Sequence, residues 1–179
     1  MSDEPISLVD HDPAWAVRFV EQRARLSVLL APWLAGPIEH VGSTAVPGLR
    51  AKPIVDLLAP VATLDAAQAA IPLLEEAGWL FWPDDPNRHY RLWFLRPRPE
   101  ARTHHLQIIA QSDPAARALV VFRDALRDDL DLRTRYAALK DQLAEQHRID
   151  REAYTNAKAD FVRAVLHSKG ATEPPRRPL

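Results

Sequence analysis

One acid constrains this chain more than any other residue. Asp56 lies within the run Ile54-Val55-Asp56-Leu57-Leu58-Ala59-Pro60-Val61. Apart from Asp56 and the break at Pro60, that run is apolar, and it reads as a buried strand. A carboxylate in a buried strand is costly unless it is paired, hydrogen-bonded or metal-bound. The fold must therefore bring a polar partner against it. Upstream, Ile38 to Val41 reads as a short strand leading into Gly42-Ser43. A Gly-Ser turn lets backbone N–H groups approach an anion closely. The crossing from Ser43 to Pro53 carries Pro47, Gly48 and Pro53, and reads as a turn with room for one short helical turn. Strand, Gly-Ser turn, crossing and acid-bearing strand together could set a phosphate beside a metal-binding carboxylate.

The rest of the chain supplies elements to cover such a sheet. Asp12 can cap a first helix and Pro13 suits its first position; Trp15, Phe19, Leu26 and Leu30 follow at helical spacings, and Pro32 marks the end. Asp65 to Ala77 reads as an amphipathic helix with Ile71, Leu73 and Leu74, stopped by Gly78. Trp79 to Trp82 and Tyr90 to Leu95 read as a hairpin around the polar loop Pro83 to Arg88, and His105 to Ala110 as another strand. From Asp113-Pro114 to about Lys169 the pattern is helical, in three stripes: Leu119, Phe122, Leu126; Leu132, Tyr136, Leu139, Leu143; and Tyr154, Ala157, Phe161, Val165. Breaks are expected at Asp128-Asp129 and near Ile149-Asp150.

This order predicts an α+β fold: a mixed sheet with flanking helices and a helical C-terminal third. We expect one domain over residues 1–170, its helical extension at about 114–169, and a disordered tail at 171–179 with three prolines. The 179 residues, 47% apolar and 26% charged, suit a single soluble globular domain. The absence of cysteine excludes disulfides, thiolate metal sites and a cysteine nucleophile. The acidic start Met1-Ser2-Asp3-Glu4 has no apolar segment of the kind a signal peptide needs, and no apolar run approaches a membrane span. A cytoplasmic protein with no membrane partner is expected. With a net charge of −1, no overall field draws nucleic acid, so an arginine-lined groove would have to do so locally. Nothing in the sequence fixes the oligomeric state.

The segment His40-Val41-Gly42-Ser43-Thr44-Ala45-Val46-Pro47-Gly48-Leu49-Arg50-Ala51-Lys52-Pro53-Ile54-Val55-Asp56 resembles the signature of the GrpB family (UPF0157 type). The opening Asp12-Pro13-x-Trp15 is similar too. So are three helical stretches: Phe122-Arg123-Asp124-x-Leu126-Arg127, Tyr136-x-x-Leu139-Lys140-x-x-Leu143-Ala144 and Tyr154-x-x-x-Lys158-x-x-Phe161. The resemblance runs from about residue 8 to 168. It implies a polymerase-β-like nucleotidyltransferase fold. In that superfamily a Gly-Ser pair precedes a strand with two acids one residue apart, a later strand adds a third, and the acids hold divalent metals at a nucleoside triphosphate. Gly42-Ser43 match the turn and Asp56 the first acid. The second acid position holds Leu58, and the later strand reads His105-Leu106-Gln107, with no carboxylate. A domain of this kind also accompanies some bacterial dephospho-CoA kinases.

The resemblance implies a nucleotide or phosphorylated small molecule as ligand. Gly42, Ser43, Thr44, Lys52 and Arg91 would contact phosphate, Asp56 would bind Mg²⁺ or Mn²⁺, and Asp56, Ser43 and His105 would serve any nucleotidyl transfer. Each has a plainer reading. Asp56 could be a structural acid capped by backbone amides, Ser43 and Thr44 turn or helix caps, and Lys52 a surface lysine. His105 and His40 could be hydrogen-bonded core histidines, and Arg88 and Arg91 a solvated sheet edge. Most helical cations face solvent, so at most one of Arg123, Arg127, Lys140 and Lys158 is expected at the site. Trp79, Trp82, Trp93 and Phe94 are expected in the core between sheet and helices, not as a base-stacking platform. Two further readings stay open: a module on the same fold that binds nucleotide without turnover, and an interaction scaffold using the C-terminal helices.

Overall fold

The computed structural model describes residues 6–172. Helix α1 (Ala14–Leu29) begins where Asp12 Oδ1 accepts from the Ala14 amide at 2.9 Å. It ends ahead of Pro32, and β1 (Glu39–Val41) follows. A single 3₁₀ turn (Ser43–Ala45) occupies the expected crossing before β2 (Val55–Val61). The expected helix from Asp65 to Ala77 divides into α2 (Leu64–Ala67) and α3 (Ile71–Glu76), joined by a 3₁₀ turn. Pro72 falls in the first turn of α3, and Leu73 points outward. Strands β3 (Leu80–Phe81) and β4 (Arg91–Arg96) form the hairpin, and β5 (His104–Ala110) completes the sheet.

The strand order is β1-β2-β5-β4-β3. Only β2 and β5 pair in parallel, with Asp56 opposite His105 and Leu58 opposite Gln107. Alternation then sorts the side chains by face. Val55, Leu57, Ala59 and Val61 join Leu106, Ile108, Leu92 and Phe94 under α1, α2 and α3 in the largest core cluster. Each large aliphatic or aromatic side chain buried there contributes about 1.5–3 kcal/mol. On the opposite face, Val41, Leu58 and Ile109 lie beneath Ala115, Ala116 and Leu119 of α4 (Pro114–Asp128).

The helical third continues as α5 (Leu130–Gln146), α6 (Arg151–Ala157) and α7 (Ala159–Ser168). Asp113, Asp129 and Asp150 cap α4, α5 and α6, each accepting an amide hydrogen bond at 2.8 Å. The anticipated breaks are thus helix starts. Phe122, Leu126, Leu132, Tyr136, Leu139, Phe161 and Val165 close over Val46 and Leu49 of the crossing loop. Ala157, expected in the third stripe, is exposed, because the chain turns at Lys158 between α6 and α7. Ala171, within the segment expected to be a disordered tail, packs with Ala118 and Leu166. Residues 173–179 of that segment, and the acidic start 1–5, lie outside the described residues. Among the described residues no helix is long and apolar enough to cross a membrane.

Candidate functional site

On the face carrying Asp56, α4 covers Val41, Leu58 and Ile109. The Asp56 carboxylate stays within reach of solvent, its side chain 27% exposed. Its partner is His105, whose Nδ1 lies 3.0 Å from Asp56 Oδ1. A carboxylate accepts, so the proton sits on Nδ1, leaving Nε2 buried without a hydrogen-bond partner. Among the described residues no backbone amide caps Asp56, so the acid is not locked in a closed core. Gly42, at φ +73°, adopts a backbone conformation that suits glycine. It packs directly against Asp56. Ser43 follows, its side chain meeting the phenol of Tyr136, whose pKa burial pushes up to about 12.

Three of the chain's four lysines gather here. Lys52 and Lys158 place their ammonium groups 4.6 and 4.0 Å from the centroid of one ring, Tyr154. Lys140 donates to the Arg50 carbonyl and lies 5.2 Å from the Tyr136 ring centroid. Burial, and then the charges of Lys52 and Lys140, pull the Lys158 pKa down to about 7, while Asp56 acts in the opposite sense. Burial lowers Lys140 to about 8. Lys140 and Lys158 both turn inward beside Lys52, unlike most helical cations, which face solvent.

The helical arginines turn inward as well, but as clamps. Arg123 donates to Glu39 at 2.6 Å, to the His40 carbonyl at 2.9 Å and to Asp124 at 2.7 and 3.1 Å. Arg127 Nε donates to the Ala45 carbonyl at 2.9 Å. The helical half thus grips the Gly-Ser loop at several points.

The other expected site residues lie elsewhere. Thr44 is buried: its hydroxyl donates to the Ile54 carbonyl at 3.1 Å and meets His40 Nε2 at 3.1 Å. The single hydroxyl proton being spent on Ile54, His40 Nε2 is the donor to Thr44. His40 points to the core face, stacked on Phe19 at 4.7 Å, and burial lowers its pKa to about 4. It lies on the opposite face of the sheet from Asp56, whose charge still reaches it and favours its protonated form. His104 also faces the core, near Trp79, and burial takes its pKa to about 4. Arg91 is neither a solvated edge residue nor an open phosphate ligand. It forms a two-bond pair with Asp85 at 2.6 and 2.9 Å and donates to Gln107 at 2.8 Å. Asp85, only 2% exposed, is the anchor that sequence reasoning missed, since nothing separates it from Asp84 beside it.

Trp82 and Trp93 are not core residues between sheet and helices. Both are half-buried on the Asp56 face, 6.3 Å apart. The Trp93 ring lies 5.2 Å from His105 and 5.3 Å from the Arg91 guanidinium. Trp79 and Phe94 do sit in the core.

Asp56 and His105 offer one carboxylate and one imidazole, and the facing positions hold Leu58 and Gln107. Among the described residues no three His, Asp or Glu side chains are gathered for a cation. Hard divalent ions require several oxygen ligands, so these residues do not fit a pair of Mg²⁺ or Mn²⁺ ions.

Comparison with known proteins places this geometry. Residues 5–168 match the family model described as GrpB protein. The chain is 41% identical over 171 residues to UPF0157 protein PA4798 of Pseudomonas aeruginosa, covering 92% of this chain and 67% of the relative. A solved structure, described as conserved protein GrpB from Enterococcus faecalis, superposes with a TM-score of 0.79. It is 29% identical, and the match covers 89% of this chain and 94% of that one. A more distant match, 28% identical over 182 residues, is a protein of Mycolicibacterium paratuberculosis described as dephospho-CoA kinase; it covers 89% of this chain and 44% of that protein.

Proposed function

This chain belongs to the GrpB family, and on that premise we propose that the site around Gly42, Ser43, Lys52 and Asp56 binds a nucleotide or another phosphorylated small molecule. One observation carries the reading. Of 23 basic residues only four are lysine, and three of those gather at the rings of Tyr154 and Tyr136, the second of which meets Ser43 of the Gly-Ser turn. Clustered ammonium groups repel one another and are relieved by an anion. The turn offers backbone N–H groups to the same ligand, as glycine-containing turns do for phosphates. The dephospho-CoA kinase relative adds an associational argument, since its matched region accompanies an enzyme named for a phosphorylated substrate.

The binding reading is preferred to two-metal nucleotidyl transfer because only one of three acid positions is filled. Asp56 and His105 remain the acid–base pair on which any transfer step would draw. Compartment and partners follow the same proposal: a cytoplasmic protein meeting a small ligand. The test is calorimetric titration of the four nucleoside triphosphates, their diphosphates and pyrophosphate, each with and without Mg²⁺ or Mn²⁺. We expect one-to-one binding of at least one of them. If none binds under any condition, the proposal fails and the chain is better treated as an interaction scaffold.

A further inference from the structure

We infer that the site holds phosphate with ammonium groups in place of a divalent cation: Lys52 and Lys158, presented on the Tyr154 ring and backed by Lys140, embrace a phosphoryl dianion. The inference rests on the binding reading above and specifies how the ligand is held.

Four observations lead to it. First, Lys52 and Lys158 share one aromatic ring, so attraction to its π-face brings two like charges together. Second, one acid among the described residues, Asp56, acts on Lys158. Asp56 is a single carboxylate, one oxygen engaged by His105 and the other packed against Gly42. Third, the places from which a metal would draw further oxygen ligands hold Leu58 and Gln107, and Gln107 Oε1 already accepts from Arg91. Fourth, the choice of cation is selective. The chain uses arginine for nearly all its positive charge, including the clamps Arg123 and Arg127, yet lysine at all three positions around Tyr136 and Tyr154. Arginine cannot lose its charge in a protein, whereas a buried lysine can. Burial beside two other lysines brings Lys158 to about 7, so its charge responds to pH near neutrality.

The groups facing Lys158 set the direction of that response. They are Lys52 from the crossing loop, Asp56 from β2, Lys140 from α5 and Tyr154 from α6, with Tyr136 and Asp141 acting on Tyr154 behind. Among the described residues Asp56 and the π-face of Tyr154 favour the charged form of Lys158, and a bound dianion adds to them. An anion therefore binds best below pH 7 and progressively less well above it.

The probe is sulfate, a tetrahedral dianion whose own charge is constant over this range, followed by pyrophosphate and ADP. All are titrated into the full chain with EDTA present, between pH 6 and 9. Sulfate should bind without metal and weaken as pH rises. Lys158→Met should weaken binding at pH 6 by at least about tenfold, the usual loss for a charge-assisted hydrogen bond. Lys158→Arg keeps a permanent charge, so it should retain binding and flatten the pH profile. Asp56→Asn removes a charge that favours the ammonium form of Lys158, so metal-free binding should persist at pH 6 and fall away at lower pH than in the wild type. Melting curves establish that each variant is folded, and Lys158→Arg carries the test if Lys158→Met is not.

Phosphate ligands that bind only with Mg²⁺ and are lost in Asp56→Asn would overturn the inference while leaving the binding reading intact. So would a Lys158→Arg variant with an unchanged pH profile. Failure of every ligand, with and without metal, would overturn both.

Discussion

Gly42 and Asp56 are in contact to the point of excluding a side chain: a β-carbon on Gly42 would stand 2.4 Å from Asp56 Oδ2. The turn and the acid are therefore one structural unit. Gly42→Ala should cost at least about 2 kcal/mol, from the positive φ and the clash combined. In an Asp56→Ala background the clash is gone, and the same substitution should cost clearly less. Urea denaturation of the four proteins gives the coupling directly. Equal costs in both backgrounds would mean that the carboxylate simply swings aside.

A second prediction concerns the buried pair beneath the hairpin. Asp85→Ala leaves the Arg91 guanidinium, mostly shielded from water, with Gln107 as its remaining side-chain hydrogen-bond acceptor among the described residues. The expected loss is about 3 kcal/mol, because removing one member strands the other charge. Replacing both residues, as Asp85→Leu with Arg91→Met, should recover most of it. Chemical denaturation settles the point: a double variant no better than the single one would show that Asp85 acts through its loop, where it also accepts from the Asn87 amide.

Arg123 ties α4 to β1 and to the loop that follows. Arg123→Met should destabilise by about 3 kcal/mol. Arg123→Lys should restore less than half of that, since one ammonium cannot satisfy Glu39, the His40 carbonyl and Asp124 together. Melting temperatures across the three proteins provide the ranking, and full rescue by lysine would reduce the clamp to simple charge.

The core-face histidines predict an acid-sensitive fold. Burial holds His40 and His104 neutral to about pH 4, whereas the unfolded chain takes up protons near 6.5. The unfolded state therefore binds more protons throughout that window. Stability is fully present above about pH 6.5 and is lost as pH falls toward 4. Each histidine accounts for up to roughly 3 kcal/mol. In His104→Leu the decline between pH 6.5 and 4 should be shallower by about half. Denaturation midpoints at three pH values in that interval suffice, and a wild type as stable at pH 4.5 as at pH 7 would contradict the prediction.

The strands were legible because each is a short apolar run bounded by turn residues, and the helix starts because Asp113, Asp129 and Asp150 advertise themselves as caps. The cost of an acid in an apolar strand called for a polar partner, and His105 is that partner. What was hidden has a common cause: alternation gives the face of a side chain but not what covers that face. Trp93 and Phe94 look equally core-bound in sequence, yet Trp93 lies half-buried on the Asp56 face. The inward lysines were masked by the ordinary behaviour of helical cations. Their local sign is a tyrosine four residues upstream, Tyr154 before Lys158 and Tyr136 before Lys140, a spacing that stacks each pair on one helical face. Nothing local sets Asp85 apart from Asp84 beside it.

Leu58, two residues after Asp56 and on the same side of the sheet, supports the seat of α4 together with Val41 and Ile109. A carboxylate at that position would enter a dry, sealed layer and need the helix to move before it could meet a cation. A paired-acid centre on β2 is thus opposed by packing as well as by the identity of one residue. Directed evolution toward that chemistry would have to loosen the helix first, and its early intermediates would be among its least stable.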